Sequence, residues 1–246
     1  MNRFAVAFLL VSALASTASA DRRLFTSTYE YKTVPQGHTA LEFWHTQSRE
    51  TWDDDSPQAY QNILEIETGL TDHWDIALYS VFTQLSSSDP MIPSEPFSFH
   101  EMKVESRYRF AERGELPVDM LAYIEAVKEF GAGVYELEAK GIFARDFDRV
   151  TAAFNAIAEV EFGPDVEETE LELGWAAGVS YEVHPTLSLG VETFGGYEPE
   201  EGEVSASVGP AIAVAPSGGF WATFTAGFGL EDAPKFSGRL IVGVEL

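Results

Sequence analysis

Residues 99–110 read FHEMKVESRYRF, and the two interleaved rows of that stretch are chemically opposite. Met102, Val104, Ser106, Tyr108 and Phe110 form a mostly apolar row, while Glu101, Lys103, Glu105, Arg107 and Arg109 form a row of five charges. A period of two marks an extended strand whose side chains point alternately to opposite faces. A soluble sheet buries its apolar face and wets its charged one. The wall of a closed barrel in a bilayer does the reverse, with apolar side chains outside and polar ones inside.

The same rhythm runs along most of the chain. Leu41 and Phe43 alternate with Glu42, Leu64 and Ile66 with Glu65 and Glu67, and Leu137 and Ala139 with Glu136, Glu138 and Lys140. Val160 and Phe162 alternate with Glu159 and Glu161, and Leu171 and Leu173 with Glu170 and Glu172. Further runs at 75–84, 117–128, 187–195, 204–214, 220–229 and 236–246 complete a series of about twelve strands. Most have roughly the 9–11 residues, or slightly more, that a tilted strand needs to cross a bilayer. Long or acidic connections (48–59, 85–96, 163–168, 196–203) alternate with tight ones (69–74, 111–116, 145–148, 184–186, 215–219), and Pro, Gly, Asp and Ser mark both kinds as turns. The short 129–133 interrupts the alternation. The expected fold is all-β: a transmembrane antiparallel up-and-down barrel with short periplasmic turns, longer extracellular loops and both termini periplasmic. Trp44, Trp52, Trp74, Tyr79, Phe97, Phe99, Phe110, Phe130, Phe162 and Phe236 sit near strand ends, where an interfacial aromatic girdle belongs. A secreted β-sandwich or lipocalin-like barrel is the alternative.

Charge narrows the partners. The 246 residues carry 40 Asp+Glu against 15 Lys+Arg, which argues against nucleic acid, whose phosphates call for a basic surface. The absence of cysteine excludes disulfides and thiolate metal sites. At the N-terminus, Arg3 precedes an apolar run from Phe4 to Ala15 and then Ala18-Ser19-Ala20. That is the pattern of a secretory signal peptide cut after residue 20. The chain therefore divides into a signal peptide (1–20), a lead segment (21–37) and a barrel (38–246). The lead segment reads as a thirteenth strand, a periplasmic extension or a piece inserted in the lumen. The expected location is the outer membrane, and the expected partners are membrane lipid and the machinery that assembles such barrels.

At EIETGLTDHWDIALY (65–79), with TYEYKTVPQGHTALEFWHT (28–46) upstream, the sequence resembles bacterial outer-membrane transporters of the phenol-degradation MetA-pathway type. The resemblance covers about 50 residues well, and the rest only as strand rhythm. It implies a barrel and leaves the cargo open. In the motif, Gly69 is expected to supply an unusual φ, and Thr71-Asp72 to hydrogen-bond a hairpin turn. Such barrels usually end on an aromatic residue, whereas this chain ends on Leu246.

The inward row is expected to hold Glu42, Glu65, Glu67, Glu101, Glu105, Glu125, Glu136, Glu138, Glu159, Glu161, Glu170, Glu172, Glu182, Glu192 and Glu245, with Lys103, Arg107, Arg109, Lys140 and Arg239. Two readings of this lining stand side by side. Salt bridges can plug the lumen and leave a closed structural barrel. Alternatively, an excess of acids can form a narrow channel for small polar or cationic solutes, because low-dielectric walls amplify a single-sign field. A rim-located lipid hydrolase is the third reading, with His45 or His100 at the outer end as base. No Gly-x-Ser-x-Gly, His-Glu-x-x-His or phosphate loop is present, so no catalytic residue, metal site or cofactor is assigned.

Overall fold

The computed structural model describes residues 23–53, 55–166, 169–200, 202–217 and 219–246. The expected signal peptide lies outside the described residues. Twelve strands follow in order: β1 (Thr39–Arg49), β2 (Gln58–Thr71), β3 (Trp74–Ser86), β4 (Glu95–Arg109), β5 (Asp119–Glu129), β6 (Tyr135–Phe147), β7 (Val150–Phe162), β8 (Glu170–His184), β9 (Leu187–Glu198), β10 (Glu203–Ser217), β11 (Phe220–Glu231) and β12 (Phe236–Glu245). Each pairs antiparallel with its sequence neighbours, and β1 closes on β12 from Ala40↔Glu245 to Arg49↔Phe236. Closure removes the open edge that would strand backbone N–H and C=O groups in hydrocarbon.

The apolar rows lie outside. Leu64, Val104, Ile124, Leu137, Val179 and Val191 are all exposed on the outer wall, while Glu42, Glu65, Glu67, Glu105, Arg107, Glu125 and Glu192 are buried inside. An exterior apolar around the wall, with charges enclosed, is stable against lipid and not against water. Trp44 and Tyr79 do not join the aromatic girdle. Trp44 shares the parity of Glu42, and Tyr79 that of Asp75, so period two turns both inward, where they are buried.

Both ends of the wall meet at one mouth, which also carries two-residue connections between β2 and β3, β6 and β7, β8 and β9, and β10 and β11. We call this the turn end and the other the loop end. Asp148 (φ 57°) and Gly219 (φ 75°) supply the left-handed conformation that such tight hairpins require. One connection departs from the regularity: residues 110–118, between β4 and β5, make the longest link and lie at the turn end.

The lead segment is not a thirteenth strand. Among the described residues its one ladder contact is an isolated parallel bridge between Gln36 and Gly69, and from there it turns into the lumen. Phe25, Tyr29, Tyr31 and Val34 are buried inside the barrel, and Phe25, Tyr29 and Tyr31 form one apolar cluster with Leu121, Tyr123, Ile142, Ala144, Ala153 and Ala211 of the wall. Gly69 has no positive φ. It is glycine because a Cβ there would collide with the carbonyls of Val34 and Pro35, where the segment crosses the rim. Its N–H donates to His38 O, and its carbonyl accepts from Gly37 N.

Candidate functional site: a half-filled, acidic lumen

The turn half of the lumen is filled by residues 23–36, and wall side chains satisfy the segment's backbone. Glu192, fully buried on β9, accepts the N–H groups of Thr26 (3.1 Å), Ser27 (2.7 Å) and Thr28 (2.5 Å), and the hydroxyls of Thr26 (3.2 Å) and Thr225 (2.7 Å). Three successive N–H groups converging on one carboxylate form a nest, and charge-assisted bonds of this kind are the strong ones. Asn155 on β7 accepts from Tyr29 N at 2.7 Å and donates to Tyr29 O at 2.9 Å. Phe25 lies against Gly178 and Gly190, where an added Cβ would come within 2.5 and 3.3 Å of its ring. Within the segment, Glu30 accepts from Leu24 N at 2.7 Å.

Nearer the rim, Asp75 accepts Val34 N (2.8 Å) and is held in two-point fashion by Arg107 (Nε 3.1 Å, Nη2 2.8 Å), which also ion-pairs with Glu67 and, at 3.1 Å, with Glu105. Tyr79 donates to Glu105. The long 110–118 connection folds over this mouth. Tyr31 donates to the carbonyl of Ala111, and Arg113 donates to Tyr31 O at 3.0 Å. Burial pushes the Tyr31 phenol above its ordinary value, so the proton it donates is retained. The Thr71-Asp72 pair of the recognised motif has a double task. Thr71 Oγ1 accepts His73 N within the turn, while Asp72 Oδ1 accepts Gln36 N at 3.1 Å and its carbonyl accepts Arg109 Nη2 at 2.5 Å.

The loop half is different. Across β4 to β8 the register sets Glu105 opposite Glu125, Glu125 opposite Glu138, Glu138 opposite Glu159, and Glu159 opposite Glu172. A second rung sets Glu136 opposite Glu161 and Glu161 opposite Glu170. Like charges directly opposite one another destabilise a sheet. Basic relief is small: Lys103 pairs with Glu125 (3.3 Å) and Glu101 (3.6 Å), and Lys140 with Glu138 (2.8 Å). Lys140 also sits 4.3 Å from the Tyr123 ring centroid. Glu159, Glu161, Glu170, Glu172 and Glu198 line a cavity of about 220 Å³ opening at the loop end.

The sequence-derived lining thus falls into two tiers. Glu65, Glu67, Glu105 and Arg107 lie in the buried network, with Arg109 beside it over the Tyr31 ring at 5.6 Å. Arg239 is committed to Thr46 Oγ1 (2.9 Å) and the carbonyl of Thr26 (3.4 Å). Glu101, Lys103, Glu125, Glu136, Glu138 and Lys140 share the inward rows of β4 to β6, Glu159, Glu161, Glu170 and Glu172 line the loop-end cavity, and Glu182 lines a separate cavity at the turn end. Sequence reasoning passed over Asp75, Asn155 and the segment's own Arg23 and Tyr29. Their signal was the inward row of β5 and β6: Leu121, Tyr123, Ile142 and Ala144 are the residues of a wall that something apolar covers. His45 and His100 have separate partners. His45 is bonded to Asn62 at 2.8 Å, and His100 Nε2 lies 3.5 and 3.7 Å from the carboxylates of Glu101 and Glu129.

No protein-family model matches this chain, and no curated protein matches it. Solved structures do. A NanC porin is similar with a TM-score of 0.57 at 9% identity, over 85% of this chain and all of that one. A KdgM porin gives 0.53 at 10% identity over 84% and 97% of the two chains, and a KdgM porin in complex with disordered oligogalacturonate gives 0.52 at 10% identity over the same shares. At such identities the likeness is one of fold: the chain has the closed antiparallel barrel of the porins.

Proposed function

We propose that this protein is an outer-membrane channel for small cationic or polar solutes, held closed at its periplasmic half by residues 23–36. The rung of register-paired glutamates from Glu105 to Glu172 carries the reading. The arrangement costs stability, and it concentrates cations in a vestibule whose low-dielectric walls strengthen its field. The porin fold and the apolar exterior support the membrane setting. The finer assignment, to transporters of the phenol-degradation MetA-pathway type, rests on the stretches at 28–46 and 65–79.

Planar-bilayer recording tests this. The intact protein passes little current, and a variant lacking residues 23–34 passes a steady one that favours K⁺ over Cl⁻. An anion-selective current, or none from the shortened variant, overturns the channel. The second reading, a closed structural barrel, is favoured by the buried ion pairs of Arg107 with Asp75 and Glu67, and the absence of current in both forms is its signature.

A further inference from the structure

Arg23 is a charged side chain in a built cage. Its side chain is 6% exposed, and its Nε lies 3.2 Å from Glu42 Oε2, with Nη2 3.8 Å from Glu65. The guanidinium carbon is 4.5 Å from the Tyr29 ring centroid and 4.7 Å from that of Trp44. Trp44 Nε1 donates to Glu42 at 2.9 Å and so fixes both the ring and the carboxylate. Aromatic faces together with desolvated carboxylates are what organic cations select, and guanidinium fits best because it is planar and weakly hydrated.

Two observations show that the cage offers more than Arg23 takes. Both carboxylate oxygens of Glu65 are buried without a hydrogen bond, and Arg23 Nη2, 3.8 Å away, makes none either. Buried carboxyl oxygens left unbonded cost free energy that a better-placed donor would recover. Carboxylate oxygens of Glu42, Glu65 and Glu67 lie within 4.8 Å of one another; Arg107 is taken by Asp75 and Glu67 and Arg239 by Thr46, so neither reaches Glu42 or Glu65. The guanidinium of Arg23 is thus the cage's own counter-charge, carried on a segment that is not part of the wall. Arg23 also lines the turn-end cavity of about 260 Å³.

We propose that the space between Trp44, Tyr29, Glu42 and Glu65 is a binding site for small primary guanidines, and that Arg23 occupies it as a tethered ligand in competition with them. The inference rests on the channel reading for the ligand's route. Binding itself is measured in detergent without any current, so the two fail separately.

The probe is agmatine, which carries a guanidinium and no carboxylate to be repelled by the glutamates. Full-length Arg23→Ala, purified in detergent, binds agmatine at least tenfold more tightly than the wild type by calorimetry, with a change in tryptophan emission. Its lowered melting temperature is raised by millimolar agmatine and not by sodium chloride of equal ionic strength. Arg23→Gln, neutral and polar, gives the same pattern should the alanine variant fold poorly. Adding Glu42→Gln and Glu65→Gln to either variant abolishes the gain. Equal binding by wild type and both Arg23 variants, or binding that survives loss of the two glutamates, overturns the site.

Discussion

Asn155 and Tyr29 bond each other twice, side chain to main chain in both directions, at 2.7 and 2.9 Å. An amide side chain presents one acceptor and two donors, so here it takes the place of a neighbouring strand for one residue of the inserted segment. Leucine in its place would leave a buried N–H and a buried carbonyl unbonded, about 1–3 kcal/mol for each group. Asn155→Leu is expected to loosen the segment while the wall stays closed. Because Arg23 and Lys32 are tryptic sites, the segment is cut at least tenfold faster, since cleavage follows the open fraction.

Glu192 receives five donors, and its replacement by glutamine removes the charge and one acceptor oxygen. Hydrogen exchange at Thr26, Ser27 and Thr28 should accelerate by an order of magnitude or more in Glu192→Gln, with β9 to β11 amides unchanged. Exchange that stays at the wild-type rate would mean that the surrounding apolar cluster alone holds the segment.

Gly178 leaves the room that Phe25 fills. In Gly178→Val the ring has to leave, and burying a Phe is worth about 1.5–3 kcal/mol. Bilayer recordings of this variant are expected to show frequent brief openings that the wild type lacks, while the barrel keeps its heat-modifiable mobility on gels.

Ile124 is 56% exposed at the middle of β5, between Ser106 and Ala139. Ile124→Arg should lower unfolding stability in lipid vesicles by about 2–4 kcal/mol, as for a cation on the lipid face near the midplane. A substitution without effect would place this face in water.

In the variant lacking residues 23–34, the triple change Glu138→Gln, Glu159→Gln and Glu172→Gln should bring the K⁺/Cl⁻ permeability ratio close to one. In the parent, raising the salt to 1 M should bring about the same fall, because the screening length shrinks to about 3 Å.

The wall was legible from the sequence because a period of two is local. Each of Leu137, Glu138, Ala139 and Lys140 states its own side, and twelve such runs with alternating connections leave an up-and-down barrel as the natural closure. The filling was not legible in that way. Residues 23–36 follow no period, since each turns toward a different strand: Phe25 to β8 and β9, Tyr29 to β7, Val34 to β3. Their pairing to Glu192, 164 to 166 residues away, appears only in three dimensions. Trp44 and Tyr79 were misplaced for a plainer reason. Nearness to a strand end sets a side chain's depth, whereas parity decides which way it points.

The inserted segment is joined to the wall at Gly37–His38, beside the bridge of Gln36 to Gly69. Displacing it therefore does not release it. A stopper on a leash of about a dozen residues meets its seat at an effective concentration on the order of millimolar. Re-seating is then unimolecular and independent of how many copies the membrane holds. A free peptide of the same sequence would need comparable millimolar amounts to win the seat.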